Sequence, residues 1–197
     1  MKAILILQLT ICFALQAFSQ EKAYTDSIAR YRKIYVRTHD VVKGEDQKYF
    51  RFFPANKKFL VEARFEKISD STGFTMKSTG KIKSRYYKYG YIYFNIDNKP
   101  QRLTVYQNER LLKTSQYKDN LFVPFTDRNS GIKAYGGGRY IDFNITDISN
   151  NTVMIDFNKA YNPYCAYASG YNCPIPPKEN TLHIEVDAGE MAFGKTH

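Results

Sequence analysis

The chain has 197 residues, 43% of them hydrophobic, and this length fits one domain that can bury a core of its own. Its 29 Lys and Arg residues against 19 Asp and Glu give a formal net charge of +10, which is compatible with a polyanionic partner. The basic residues are spread along the chain, however, and this more simply fits the solubility of an exported protein.

The N-terminus has the pattern of a secretory signal peptide over residues 1–19. A basic start at Lys2 precedes an apolar run over 3–14, and Ala17-Phe18-Ser19 places small residues at the two positions that a signal peptidase reads. The run is too short to span a bilayer comfortably, although a retained anchor is the alternative. We therefore expect cleavage before Gln20, a periplasmic or secreted protein, and no stable membrane span after the signal is removed.

Residues 20–43 are predicted to hold an N-terminal amphipathic helix. Tyr24, Ile28, Tyr31 and Tyr35 are spaced by four, three and four residues, which places them on one helical face. This stripe is rich in tyrosine and only weakly apolar. We expect the helix to brace the domain rather than to lie on a membrane surface.

From residue 49 onward the apolar period changes to two, which is typical of strands with one buried face. Apolar and polar residues alternate over 59–66, 91–96, 140–145, 153–157 and 182–187, and turn signals such as Asp97-Asn98-Lys99-Pro100 and Ser149-Asn150-Asn151 separate the runs. No repeat or long linker divides the chain. The sequence predicts a mainly β fold, an antiparallel barrel or sandwich, in a single domain over 44–197.

Two cysteines, Cys165 and Cys173, remain after removal of the signal peptide. In an exported chain an even count favours a disulfide, with a metal site or free thiols as the alternatives. The bridge would close a loop of about nine residues and add roughly 2.5 kcal/mol to stability. No histidine stands at the spacing of a zinc site, so we predict no metal.

The run Tyr135-Gly136-Gly137-Gly138-Arg139 is the most suggestive motif of the chain. Its backbone amides could form a nest for an anion, with the Arg139 guanidinium as a fork for a carboxylate or phosphate. It matches neither a P-loop nor a dinucleotide fingerprint, since a strand follows it rather than a helix. The structural alternative is a glycine bulge where a strand bends.

Other chemistry has weaker support. Lys81, Lys83 and Arg85 precede alternating tyrosines at 87–93, a mixture that suits single-stranded nucleic acids or glycans. Strands favour tyrosine and edge lysine in any case, and an exported protein seldom meets nucleic acid, so no nucleic-acid partner is expected. The chain has three histidines and no G-x-S-x-G elbow, which gives a nucleophilic triad little support.

Several segments resemble the bacterial and archaeal family catalogued as domain of unknown function 1684. They are RFFPANKKFLVEARFE (51–66), GKIKSRYYKYG (80–90), FVPFTDRNSGIKAYGGGRYIDF (122–143), IDFNKAYNPYCAY (155–167), CPIPPKEN (173–180) and AGE (188–190). Ala134 stands where that family usually has threonine, which weakens any role for a hydroxyl there. The family has no assigned activity or cofactor, so the resemblance implies domain limits and leaves the function open.

Residues 158–177, which we call the Cys loop, read as a rigid loop. Proline on both sides of the cysteines favours extended, turn-like backbone and excludes a central strand. Such a polar, aromatic loop fits a binding surface, and equally a plug for the open end of a barrel. The strands at 139–145 and 152–157 are separated by a short turn, so we expect a hairpin that brings the glycine run and the Cys loop to one end of the fold.

The sequence therefore predicts a mouth that binds a small or extended, polar or anionic ligand. Its predicted ligand-binding residues are Gly136, Gly137, Gly138, Arg139, Asn158, Tyr161, Asn162, Tyr164 and Tyr167. Arg139 would serve as a cation beside aromatic and amide groups, or else as an internal clamp paired with Asp156 or Glu179. The alternatives are a hydrolase acting through Asp127, Asp156 or Glu179 at the same mouth, and a structural envelope protein. No cofactor can be named.

Overall fold

The computed structural model describes residues 2–195, with side chains from Ser19 onward. Its first element is helix α1 (Lys2–Thr38). The predicted signal peptide falls on residues whose side chains are almost all outside this description, so cleavage before Gln20 stays a prediction. Among the described residues, no helix combines the length and the hydropathy needed to cross a membrane.

The second half of α1 packs against the domain through the tyrosine-rich stripe that the spacing predicted. Ile28 is buried, and Tyr24, Tyr31 and Tyr35 are half-buried, while the residues between them are mostly exposed. The Tyr24 hydroxyl donates to Asp156 Oδ1 at 2.8 Å, which fixes the helix to the end of a strand. The stripe is thus a brace on the domain.

The rest of the fold is one curled antiparallel sheet of seven strands, with the order β6-β5-β4-β3-β1-β7 and β2 beside β3. The strands are β1 (Leu60–Lys67), β2 (Phe74–Met76), β3 (Ser84–Ile96), β4 (Lys99–Asn108), β5 (Asn120–Phe125), β6 (Arg139–Asn144) and β7 (Thr152–Asp156), with a short helix α2 (Glu109–Leu112) after β4. This half-barrel confirms the predicted mainly β, antiparallel class with an N-terminal helix.

Two tight turns follow directly from the local sequence. Asp97 and Asn98 join β3 to β4 with φ of 50° and 58°, and Asn150 and Asn151 precede β7 with the same pair of values. Asn and Asp tolerate the left-handed region that such two-residue turns need. Both turns are confirmed, although Lys99 and Pro100, which the sequence included in the first turn, already belong to β4.

One face of the sheet holds the main core, because alternate residues of every strand except β2 point to it. Leu121 and Val123 of β5 and Ile141 and Phe143 of β6 belong to this core, which also includes Phe157 behind β7. The intervening residues of β5 and β6 face the other way. A second aromatic cluster, composed of Met76, Tyr86, Tyr106, Phe122 and Tyr140, lies on that opposite face.

The expected hairpin between 139–145 and 152–157 is wrong. β6 pairs with β5, and β7 pairs with β1, so the two strands stand at opposite edges of the sheet order. The curl of the sheet nevertheless returns the chain after β7 to β6. Tyr140 and Tyr161 exchange backbone hydrogen bonds of 2.8 and 3.0 Å, which closes the two edges toward each other.

The predicted strand at 182–187 is extended but does not join the sheet. Its alternation is real, since Leu182, Ile184 and Val186 are buried between exposed neighbours. It runs beside the chain after β5: the Leu182 amide donates to the Thr126 carbonyl at 2.8 Å and the Arg128 amide to the Ile184 carbonyl at 3.0 Å, while the Val186 amide donates to the Asp127 side chain at 2.8 Å. The period-two burial therefore predicted an extended segment correctly, but its backbone pairing is limited to a short stretch beside residues 126–128.

Candidate functional site

A cleft of about 600 Å³ opens on the face of the sheet opposite the main core. One side is formed by the outward residues of β3, β5 and β6 with α2, and the other by the Cys loop. Its lining residues are Tyr86, Asn108, Leu111, Tyr117, Asn120, Phe122, Tyr140, Asp142, Tyr161, Asn162, Pro163, Tyr164, Tyr171, Asn172, Cys173 and Pro174. We call this site the aromatic cleft.

The floor of the aromatic cleft consists of rings that strand alternation places together. Phe122 is the register partner of Asp142, and Tyr140 lies two residues before Asp142 on the same face of β6. The Phe122 and Tyr140 ring centroids are 4.8 Å apart at 74°, and Tyr140 meets Tyr161 at 5.7 Å and 89°. These edge-to-face contacts fix the rings and leave Phe122 and Tyr140 only 8% and 5% exposed.

Asp142 is the only acidic residue among the cleft-lining side chains. It accepts hydrogen bonds from the Tyr161 hydroxyl and from Asn120 Nδ2, the latter at 3.3 Å, and its side chain is exposed to the water of the cleft. The surrounding walls desolvate the carboxyl and raise its pKa, while both hydrogen bonds oppose the rise. Burial raises the pKa of Tyr161 well above its ordinary value, so this phenol keeps its proton and donates.

The Cys loop is held against the sheet at several points. Cys165 and Cys173 form a disulfide with a Cα–Cα distance of 6.3 Å, as the sequence predicted. The Thr79 amide donates to the Cys173 carbonyl at 3.0 Å, and the Asn172 side chain accepts from the Ile82 amide at 3.0 Å and donates to its carbonyl at 3.0 Å. The disulfide therefore shapes a cleft wall that the β2–β3 connection anchors.

The Arg139 guanidinium lies in the interior, with 0% of its surface exposed. It pairs with Asp127 Oδ2 at 3.2 Å and donates to the carbonyls of Val186, at 3.0 Å, and Ala188. The expectation that Arg139 would meet a ligand therefore needs correction, because the side chain is enclosed and its two terminal nitrogens hold the C-terminal segment, while Nε has no partner among the described residues. The clamp alternative fits, with Asp127 as the partner in place of Asp156 or Glu179.

The glycine run is not part of the aromatic cleft. Gly136 and Gly137 are exposed, and Gly138 is buried with a φ of 87°. A Cβ on Gly138 would lie 2.6 Å from the Phe125 carbonyl oxygen, so glycine is required by close backbone approach. This geometry fits the structural alternative of a bend directly before β6 rather than an anion nest.

Of the predicted residues in the Cys loop, Tyr161, Asn162 and Tyr164 line the aromatic cleft, and Asn158 and Tyr167 do not. The Asn158 side chain is buried and bonds to the backbone of Asn56 and to the Tyr24 hydroxyl. Asn162 is also buried: Nδ2 donates to the Met191 carbonyl at 2.8 Å, whereas Oδ1 has no partner among the described residues.

Tyr167 belongs to a second buried centre around Glu190. The Glu190 carboxylate is 0% exposed and receives hydrogen bonds from the hydroxyls of Tyr167 and Tyr35 and from the Asn162 amide, at 2.7–3.1 Å. Burial raises the pKa of Glu190 to about 7, and these donors oppose the rise. We call Asp127, Arg139 and Glu190, with the groups bonded to them, the buried polar cluster.

The three acids of the hydrolase alternative do not converge in the aromatic cleft. Asp127 is paired with Arg139, Asp156 accepts from Tyr24, and Glu179 pairs with Lys88 at 2.7 Å and accepts from Tyr106 at 2.9 Å. Each acid has a structural partner of its own. Among residues 19–195, no group of three or more His, Cys, Asp or Glu side chains is placed to hold a metal ion.

The sequence reasoning missed most of the cleft. Tyr86, Phe122, Tyr140, Asp142 and Asn120 were not predicted as site residues. One signal was available: the alternation over 140–145 placed Tyr140 and Asp142 together on the polar face of their strand. A carboxylate beside tyrosine on such a face is a reasonable mark of a site, but only the sheet order shows that β5 supplies the neighbouring ring.

The fold and the cleft define a curled antiparallel half-barrel with an aromatic site closed by a disulfide-bonded loop. The sequence profile of the family described as "Protein of unknown function (DUF1684)" matches residues 46–191, and the chain belongs to this family. No curated protein matches the chain. The solution NMR structure of an uncharacterized protein of Haloarcula marismortui is similar, with 25% identity, a TM-score of 0.61, and coverage of 93% of this chain and 96% of the other.

Proposed function

We propose that this protein is an exported binding module that holds a small ligand in the aromatic cleft. The observation that carries the proposal is the cleft itself: about 600 Å³ of concave space, with aromatic walls and a few convergent polar groups, away from the main core. Ligand sites commonly have this size and this mixture of surfaces. The site that we propose keeps Tyr161 and Tyr164 from the sequence prediction and adds Asp142 and Tyr140, whereas Asn162 is fully buried and its backbone and side-chain amides bond to Glu190 and Met191.

The groups in the cleft are held in place before any ligand arrives. The Tyr140 hydroxyl donates to the Pro174 carbonyl, and the backbone of Tyr140 is paired with that of Tyr161. The disulfide and the Thr79 contacts restrain the opposite wall. A preorganised site spends little binding free energy on ordering its own side chains, which supports a binding role.

The anionic ligand that the sequence suggested has less support than a neutral or cationic one. Its expected partner, Arg139, is enclosed, and the lining residues include no Lys, Arg or His. A carboxylate ligand would also lie beside Asp142, and like charges at close range repel. The proposal therefore narrows to polar ligands without net negative charge.

A ligand screen with a blocked cleft tests this proposal. Leu111→Trp adds a large ring at the cleft lining, and Ile132→Trp adds the same ring at a residue that is 78% exposed and outside the lining. Saturation-transfer NMR against a fragment library of neutral and cationic compounds should give binders of the wild type and of Ile132→Trp that Leu111→Trp loses. Binders that Leu111→Trp retains, or a library with no binder, would contradict the proposal.

The alternatives predict different results in the same experiment. A structural envelope protein gives no cleft-dependent binder. A hydrolase at this mouth would have to use Asp142, because the three acids named for it have structural partners elsewhere. Turnover of a bound fragment, lost in Asp142→Asn with binding retained, would support the enzyme.

A further inference from the structure

We propose that the aromatic cleft recognises a small organic cation, an ammonium group seated between tyrosine rings and the Asp142 carboxylate. The inference rests on the proposed binding function and adds the charge of the ligand. It depends on three observations: the charge of the lining, the free side of Asp142, and the contrast between the rings of the cleft and aromatic rings elsewhere on the protein.

The lining has the opposite charge from the chain as a whole. The sequence carries a formal net charge of +10, with 29 Lys and Arg residues. The cleft contains none of them, and its one charged side chain is Asp142. Local potential depends mostly on nearby charges, because water and salt screen the distant ones. The lining thus carries one acidic side chain and no basic one, although Arg110 is near enough to act on Tyr86.

Asp142 has unused acceptor capacity that faces the cleft. Tyr161 and Asn120 each donate one hydrogen bond to it, and an ionised carboxylate has about four acceptor positions. Ten of the 19 Asp and Glu residues lie within 4.0 Å of a Lys or Arg nitrogen, and Asp142 is among those that have no such partner within residues 19–195. A partly desolvated carboxylate without a cation is a place where a ligand ammonium gains affinity.

Several aromatic rings elsewhere on the protein have a Lys or Arg side chain over them, and the rings of the cleft differ in this respect. On the sheet surface, Arg64 lies 4.3 Å from the Tyr93 ring centroid and Arg102 lies 5.1 Å from that of Tyr91. None of the cation–π contacts in the described part of the chain uses a ring of the cleft. Aromatic faces attract ammonium groups, most strongly when water is excluded.

These features together fit a small ammonium compound better than a neutral one. The rings of Tyr164 and Tyr171, in residues that are 37% and 38% exposed, meet edge to face at 5.3 Å in the cleft wall and are open to a ligand, whereas Phe122 and Tyr140 are only 8% and 5% exposed. A quaternary or primary ammonium would contact ring faces and the carboxylate at once. A neutral polyhydroxylated ligand would use the asparagines and leave the carboxylate without a charge partner.

Three probes of similar shape and different charge distinguish the effect of ligand charge from that of ligand shape. Choline is the cation, dimethylbutanol with a tertiary-butyl group is its neutral isostere, and the corresponding dimethylbutyrate is the anion. NMR titration of the full chain, lacking only its signal peptide, should show choline binding about tenfold more tightly than the neutral isostere, with the anion weakest. This order needs no variant, so it can be judged even if a substitution disturbs folding.

Two variants then locate the effect. Asp142→Asn removes the charge inside the cleft, and Asp70→Asn makes the same change in net charge at an exposed residue outside the lining. We expect Asp142→Asn to reduce choline affinity about tenfold and leave dimethylbutanol unchanged, and Asp70→Asn to change neither.

The outcomes separate this inference from the proposed function. If the three probes bind equally, or Asp70→Asn weakens choline as much as Asp142→Asn does, the cation inference is overturned. Binding of the neutral isostere that Leu111→Trp abolishes would then leave the cleft proposal standing. If choline does not bind at all, the cation inference is also overturned, and the fragment screen alone decides the proposed function.

Discussion

The aromatic cleft and the buried polar cluster are built from similar residues in different surroundings. In the buried polar cluster, Glu190 is surrounded by Tyr167, Tyr35 and the Asn162 amide, and its hydrogen-bond donors all come from the protein. In the cleft, Asp142 has Tyr161 and Asn120 beside it, and its remaining surface faces water. Buried polar groups that bond to one another stabilise a fold, whereas exposed ones with spare capacity are available to a ligand.

This comparison explains why residue type alone is a poor guide to the site. Arg139, Asn158 and Tyr167 have the chemistry of ligand-binding residues, but the fold itself uses their hydrogen-bonding groups. Asp142 and Tyr140 are less conspicuous in the sequence, and they face the cleft. The four predictions that follow test the buried region first, where the effects should be large, and then the contacts that connect it to the cleft.

Removal of the Arg139 charge should have the largest effect. Arg139→Met leaves Asp127 buried without a cation and the Val186 and Ala188 carbonyls without donors, which should reduce the free energy of unfolding by about 3–5 kcal/mol. Urea denaturation measures this loss. Lys133→Met is the matched control, because it removes a cation whose partners Glu185 and Asp187 are exposed, and its midpoint should stay close to that of the wild type. Equal midpoints for the two variants would contradict the clamp.

Glu190 should make stability depend on pH in an unusual direction. Its pKa is raised from 4.5 to about 7 by burial, so the native state binds this proton more tightly than the unfolded chain does. The contribution is therefore complete below pH 4.5 and is lost as the pH rises through 7. At about 1.4 kcal/mol per tenfold change in proton affinity, the loss is about 3 kcal/mol.

Glu190→Gln provides the reference for that pH dependence. Denaturation at a series of pH values from 5 to 8 should show the wild type losing stability relative to the variant, whatever the absolute cost of the substitution. If the two curves run parallel, the protonation of Glu190 is not linked to folding.

The disulfide should matter more for the cleft than for the fold. The double substitution Cys165→Ser and Cys173→Ser should lower the free energy of unfolding by roughly 2.5 kcal/mol, the chain-entropy value for a short loop. Fragment affinity should also fall under conditions where the variant is fully folded, because Cys173, Tyr171 and Asn172 line the cleft. Reduction of the wild type should reproduce both effects. Unchanged fragment affinity in a destabilised variant would separate the loop from the site.

The smallest effect concerns the brace between α1 and the domain. Tyr24→Phe removes the hydroxyl that donates to Asp156 and accepts from Asn158, which should cost about 1 kcal/mol of stability. Tyr31→Phe removes a half-buried hydroxyl from the same helical stripe and serves as the control. Thermal unfolding and fragment titration should show a lower Tm for Tyr24→Phe alone, with cleft binding unchanged. Weaker binding in Tyr24→Phe would mean that Asn158 is coupled to the site.

The sequence predicted the local parts of this fold well and the long-range parts poorly. The helical stripe, the strand alternation, the Asn-containing turns and the disulfide follow from spacing and residue type, which are local properties. The strand order is not local: β6 and β7 are close in the chain and stand at opposite edges of the sheet order. The expected hairpin failed for this reason, although the curl still joined Tyr140 to Tyr161.

The candidate site shows the same limit. Tyr161, Asn162 and Tyr164 could be predicted because they share one short loop with the cysteines. The floor of the cleft comes from three strands, and no spacing in the sequence places Tyr86 beside Phe122. The burial of Arg139 is also a tertiary property, since its partners Asp127 and Val186 are supplied by distant segments. The glycine run and Arg139 showed from the sequence that this part of the chain has a special role, but not which distant residues it contacts.

The central claim is that the aromatic cleft binds a ligand, whereas the buried polar cluster stabilises the fold. Titration of the tightest-binding fragment into Leu111→Trp and Arg139→Met, at a temperature where both variants are folded, tests the claim most directly. We predict that Leu111→Trp loses binding while keeping wild-type stability, and that Arg139→Met loses stability while keeping fragment affinity within about threefold of the wild type. The reverse result, with binding lost in Arg139→Met and retained in Leu111→Trp, would contradict the account.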